Sequence, residues 1–217
     1  METLATEQSA RSPGRPRSAV ADRAIMDAIV ELLIERGYRE VTIEGVAARA
    51  GVAKTTIYRR WPSKADMVVE AVCCAGKDCP VEAACDGFEP VVCGLERMLS
   101  ALSCSQVAKI VSGLAVEMPH NAELAETVRE RLVKPNRAAM CALLRQGVAS
   151  GELRADLDPE FVADLLVGPL FFRMLISGEP LSPELPGRTV SELLRGIGAE
   201  RARESAPGLT RGFGGFG

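Results

Sequence analysis

The stretch that decides the fold runs from Thr42 to Lys64 and reads TIEGVAARAGVAKTTIYRRWPSK. Two short apolar-patterned segments flank Gly51. In the first, Ile43, Val46, Ala47 and Ala50 recur at helical spacing behind Thr42, a residue type that caps helix N-termini by accepting from backbone N–H groups. Gly51 can take the positive φ that a tight turn needs. The second segment is predicted from Lys54 to Trp61, with Ile57 and Trp61 on one side and Pro62 ending it. Ala47 is small where the two helices cross, and Val46, Ala50, Val52 and Ile57 make a miniature core between them. This is the physics of a helix-turn-helix. It leaves Lys54, Thr55, Thr56, Tyr58 and Arg59 or Arg60 pointing outward. These types donate hydrogen bonds to phosphates and base edges.

Helical patterning continues on both sides. Upstream, Ala21, Ile25, Ala28, Ile29 and Leu32 form one stripe of a helix predicted over 18–36, with Ser18 as its cap and Gly37 as its stop. Downstream, Ser63-Lys-Ala-Asp66 reads as a capping-box variant opening a fourth helix through Met67, Val68, Ala71 and Val72. Residues 76–88 carry Gly, Pro and Asp and read as a loop or frayed helix end. Further helices are predicted at about 89–103, 105–118, 121–150, 158–177 and 186–199. Pro135 should kink or break the third of these, and Pro159 suits a first helical turn. No strand-period alternation of useful length occurs. The fold class is therefore all-α. The basic, proline-containing arm at 1–17 and the glycine-rich tail at 201–217 read as disordered.

Composition narrows the function. Of 217 residues, 47% are hydrophobic and 25% charged, which is globular; 4% aromatic leaves a core of Ala, Val, Leu, Ile and Met. No run approaches the length of apolar sequence that spans a membrane, and the polar N-terminus lacks an apolar signal core. The single histidine, His120, excludes most histidine-dependent catalysis; it reads as a surface or capping residue at a helix start. No Ser/His/Asp set, nucleotide-binding glycine loop or paired carboxylates stand out, so no enzyme, cofactor or metal site is expected. The net charge of −3 hides an asymmetry: residues 11–66 carry +4 and the rest −7. A basic front on an acidic body suits a polyanion partner. Seven cysteines, Cys73, Cys74, Cys79, Cys85, Cys93, Cys104 and Cys141, admit two readings. They are reduced, partly buried thiols acting as small hydrophobes, or the Cys73–Cys93 group senses oxidants or metal. The group has no CxxC pair and no nearby histidine.

Gly37-Tyr38, Val41-Thr42-Ile43, Val46-Ala47-Ala48-Arg49-Ala50-Gly51-Val52, Thr56-Ile57-Tyr58 and Trp61-Pro62-Ser63-Lys64 together resemble the TetR (tetracycline-repressor-like) family of bacterial transcriptional regulators. The resemblance is dense over 19–72. It is looser at Glu152–Asp158 and Leu166–Leu175, where the chain is similar to a recurrent C-terminal subtype. It implies a three-helix DNA-binding head at 18–64 and a helical ligand-binding and dimerisation domain at 65–200. It implies a homodimer on a palindromic duplex operator, a repressor released by a small molecule, and a place in the bacterial cytoplasm, at the nucleoid when DNA-bound. By position, Thr42 and Lys64 would contact phosphate, and Lys54, Thr55, Thr56, Tyr58 and Arg59 or Arg60 would lie in or along the major groove. Arg15 and Arg17 resemble minor-groove arms. Met98, Leu102, Ile110, Leu114, Met118, Phe171 and Met174 are the apolar positions that could line an effector cavity. Residues 160–176, apolar nearly all round, and the 186–199 helix are the expected dimer contact.

Overall fold

The computed structural model describes residues 16–79 and 90–197. Among these residues every regular element is helical, and no single helix is long and apolar enough to cross a membrane. The helices are α1 (Pro16–Glu40), α2 (Ile43–Ala50), α3 (Lys54–Tyr58), α4 (Lys64–Asp78), α5 (Pro90–Ser103), α6 (Ser105–Glu117), α7 (Ala122–Val128), α8 (Lys134–Ser150), α9 (Pro159–Phe172) and α10 (Leu185–Ile197). A 3₁₀ turn covers Met118–His120, and π turns cover Arg129–Val133 and Arg173–Ser177.

The N-terminal helices obey local chemistry with two departures. α1 begins at Pro16, so Ser18 lies inside the first turn and not ahead of it; the fixed φ of proline suits that position. The predicted arm is thus helical from Pro16, while residues 1–15 lie outside the described ones, as do 80–89 and the predicted tail. Gly37, at φ 77°, breaks the run where a stop was expected, and helical geometry resumes to Glu40. Thr42 caps α2 by accepting from the Gly45 N–H at 3.0 Å, and Gly51 closes it in the left-handed region at φ 66°. α3 is shorter than predicted and ends at Tyr58 instead of Trp61. The residue before a proline avoids the α region, so Pro62 unwinds the chain early. The Arg60 and Trp61 N–H groups both close on the Ile57 carbonyl, at 2.9 and 3.0 Å. Ser63 then caps α4 by accepting from the Asp66 N–H at 3.1 Å, while its hydroxyl donates to the Asp66 carboxylate at 2.9 Å.

Two apolar clusters hold the chain. One runs through α1–α4 into α6 and α7, with Ile25, Ile29, Val46, Ile57, Trp61, Met67, Val68, Ile110, Leu114 and Leu124 buried. The other joins α5, α8, α9 and α10 around Leu95, Leu99, Leu144, Leu166, Leu170 and Val190. Leu102 packs against both. Gly94 lets α5 approach α8 closely, since a Cβ there would stand 2.8 Å from Leu143 Cδ1; Gly147 of α8 makes room for Leu153 in the following loop, whose Cδ1 a Cβ there would meet at 2.7 Å. The predicted long helix over 121–150 is one course broken by a π turn just ahead of Pro135. Proline lacks the N–H that regular α register would use there.

Candidate nucleic-acid interface

α3 is too short to stand alone and is held from behind. The Gly51 and Val52 N–H groups both close on the Ala47 carbonyl, the latter at 3.0 Å, which seats α3 across α2. Ile57 is fully buried beneath it. Thr55, Tyr58 and Arg59 are exposed on the opposite side, and Thr56 is half-buried at the edge. Tyr58, at 56% exposure, is an aromatic ring the fold leaves in solvent with its hydroxyl available. A major groove about 12 Å wide admits a helix about 10–12 Å across, and α3, about 7.5 Å long, presents its outer side chains within one such groove.

The structure separates the two arginines left open by the sequence. Arg59 stays outward, whereas Arg60 turns back and pairs with Asp22 of α1, tying the end of α3 to the first helix. Lys54 is exposed but donates to Glu44 at 2.9 Å, and this bond holds the Glu44 carboxyl below its ordinary range. Thr42 uses its oxygen as an acceptor for the cap and keeps its hydroxyl proton for an outside partner. Lys64 departs most from expectation. It is half-buried, its ammonium donates to the Arg39 carbonyl at 3.1 Å, and it lies 4.3 Å from the centre of the Tyr38 ring. Burial pushes its pKa down, with Glu117 and Glu40 opposing. To meet a phosphate it must release the Arg39 carbonyl. Arg15 lies outside the described residues; Arg17 stands in the first turn of α1, and its side chain is not among the described ones.

Two contacts that position the head were missed from the sequence. Arg49 of α2 bonds Glu31 at 2.9 Å and Glu35 at 2.8 Å, pinning α2 along α1. The signal was present: Glu31 and Glu35 are one helical turn apart and share a face. Arg39 reaches Glu117 of α6 at 2.7 Å, which joins the end of the first helix to the body.

Six of the seven apolar pocket candidates lie in or against the first core. Ile110 and Leu114 are buried in the first core, against which Leu102, Met118, Phe171 and Met174 pack, while Met98 packs on the second. A cleft of about 130 Å³ lies elsewhere, between α1, α4 and α6, lined by Met26, Val30, Ala71, Cys74 and Ala75 and rimmed by Arg23, Asp27, Asp78 and Gln106. Among the described cysteines, the reduced, partly buried reading fails at one pair. Cys79 is joined to Cys104, outside the expected group, by a disulfide. Cys73, Cys74 and Cys93 are half-buried, Cys141 is buried, and Cys85 lies outside the described residues. Burial pushes the Cys73 thiol up, which reduces its thiolate fraction. Among the described residues no group of three or more His, Cys, Asp or Glu is arranged to hold a metal ion.

A glycine-turned helix pair whose second member offers Thr, Tyr and Arg to solvent, on an all-helical body, defines a helix-turn-helix DNA-binding regulator. Residues 25–71 match the family described as bacterial regulatory proteins, tetR family, and residues 92–193 match the tetracyclin repressor-like C-terminal domain. The chain belongs to the TetR family. It is 33% identical over 193 residues, 88% of this chain and 97% of the relative, to the uncharacterised HTH-type transcriptional regulator YdeS of Bacillus subtilis. It is 29% identical, over 83% of this chain and 93% of the relative, to the DNA-binding transcriptional repressor TetR of Mycobacteroides abscessus. The fold matches that of the transcriptional regulator FadR from Bacillus subtilis, solved in complex with stearoyl-CoA, at a TM-score of 0.62 and 23% identity, covering 81% of this chain and 99% of that one. The family is one of transcription factors, not enzymes.

Proposed function

We propose that the protein is a homodimeric repressor that holds a palindromic operator and leaves it when a small-molecule effector binds the body. The observation that carries the dimer is a stripe on the outer side of α9 and the π turn after it. Phe161, Leu165, Phe172, Leu175 and Ile176 are exposed there at helical spacing, with Gly168 and Pro169 between them also in solvent. A monomer would leave this contiguous apolar face in water, and a two-fold axis buries it against itself. α10 lies alongside α9 and extends the contact. The same symmetry places two α3 helices for two half-sites about one helical turn apart.

Within each protomer the reading assigns residues 18–64 to DNA and 65–200 to effector and partner. On the DNA side, Thr42, Lys54, Thr55, Thr56, Tyr58 and Arg59 make the contacts. Arg60 acts through Asp22, and Lys64 joins once it leaves the Arg39 carbonyl. Arg15 and Arg17 follow the backbone into the minor groove. Met98, Leu102, Ile110, Leu114, Met118, Phe171 and Met174 supply the apolar lining on the effector side. The FadR complex with stearoyl-CoA supports an effector of acyl type. DNA as the target places the protein in the bacterial cytoplasm, at the nucleoid when bound.

Selection of bound fragments from genomic DNA tests the proposal. Recovered fragments should share an inverted repeat, bind as one dimer per repeat, and be released by stearoyl-CoA as the first probe. Fragments without two-fold symmetry would overturn the dimeric operator. Release by no acyl thioester would overturn the effector class.

A further inference from the structure

We infer that Arg131, in the body, is a positioning residue that sets the angle of the DNA-reading head through α4. This rests on the paired-head reading above. α4 is the element that leaves the head: it starts directly after Trp61-Pro62 and runs into the body. Two carboxylates one turn apart on α4, Asp66 and Glu70, are already engaged by the head. The Trp61 indole N–H donates to Glu70 Oε2 at 3.0 Å, and the Ser63 hydroxyl donates to Asp66 Oδ2 at 2.9 Å. Arg131, from the body, spans the same two carboxylates, sharing Glu70 Oε2 with the Trp61 indole. One guanidinium nitrogen stands 2.5 Å from Asp66 Oδ1 and another 3.6 Å from Glu70 Oε2. A planar guanidinium with fixed donors constrains direction as well as distance, which a lysine ammonium would not.

Local sequence explains why Arg131 is there. Pro135 has no N–H, and its ring crowds the carbonyl four residues back, which is that of Arg131 itself. The helix course answers with the π turn Arg129–Val133, in which the Lys134 N–H donates to the Arg129 carbonyl. Asn136 satisfies the Leu132 carbonyl with its side-chain amide at 2.7 Å. Leu132 packs on the head-side core, and Arg131 is delivered to α4. Wide turns of this kind recur at functional positions. Ion pairs as exposed as this one contribute little to global stability, so its effect falls on orientation.

The readout is the dependence of DNA affinity on the separation of half-sites. Fluorescence anisotropy compares a duplex selected from genomic DNA with the same duplex carrying one inserted base pair between half-sites. The wild-type protein should prefer the selected spacing. In Arg131→Met that preference should fall by about fivefold or more, the low end of ordinary coupling between sites, with the melting temperature unchanged. Arg131→Lys should recover part of it. Glu70→Gln keeps an oxygen for the Trp61 indole while weakening the pair, and should reproduce the loss if Arg131→Met folds poorly. A preference retained in both Arg131→Met and Glu70→Gln overturns the inference and leaves the paired-head reading standing. Equal binding of both duplexes by the wild type overturns both.

Discussion

Truncating Phe172 to alanine should separate the protomers while leaving each one folded. Phe172 is 59% exposed in the single chain, so its removal costs the monomer little packing. A phenylalanine offers about 150–250 Å² for burial, so roughly 120 Å² of Phe172 is open to a partner, and about 80 Å² of that is lost on trimming to alanine. At ~25 cal/mol/Å² this is about 2 kcal/mol for each copy. A two-fold axis counts the loss twice, giving ~4 kcal/mol, or about a thousandfold in the dimer dissociation constant. Sedimentation equilibrium over a range of protein concentration measures it directly. Val116→Ala is the control. Val116 is 67% exposed on α6 and is not part of the α9 stripe, and its loss should leave association unchanged. If Phe172→Ala associates as tightly as the wild type, the stripe is not the dimer face. Equal weakening by Val116→Ala would show that the effect comes from general loss of apolar surface.

Arg59→Ala should weaken duplex binding across all sequences, and the slope of log affinity against log salt should shrink by about 0.9 for each phosphate contact removed. An unchanged slope would place Arg59 off the backbone. Thr42→Ala removes the α2 cap and should cost the head about 1 kcal/mol, read as faster amide exchange in α2 with dimerisation intact. Gly147→Ala should destabilise the body by about 1–3 kcal/mol in urea unfolding, because the new methyl meets the buried Leu153 side chain at 2.7 and 2.8 Å. A neutral result would mean that the Leu153 side chain can move aside without loss.

What was legible in the sequence was what depends on neighbours along the chain. Thr42, Gly51 and Ser63 act within three or four residues of themselves, and each does what its residue type predicts. Periodicity located the later helices for the same reason. Apart from the helix ends set by Pro16 and Pro62, the departures depend on partners far along the chain. Arg60 looks like a groove contact until Asp22, on another helix, claims it. Lys64 looks like a phosphate contact until the fold brings the Tyr38 ring and the Arg39 carbonyl beneath it. Cys79 and Cys104 are 25 residues apart, and spacing alone gave no reason to pair them. Pro135 announced a disturbance, but its outcome as a π turn carrying Arg131 needed the position of α4. The seven pocket candidates were chosen as apolar residues, a property that does not distinguish which of two cores receives them.

The first apolar core does not stop at the end of the head but runs through α4 into α6 and α7, with Ile57 and Leu114 members of one cluster. This bears on how such molecules can be recombined. A chimera cut at the start of α4, joining the head of one relative to the body of another, divides a single interior and leaves two half-interiors that were never fitted to each other. Grafting α1–α4 together with the matching faces of α6 and α7 keeps that interior whole. In a mutant hunt for lost operator binding, substitutions at Ile110 or Leu114 would be recovered beside those in α3, although both residues are buried in the interior.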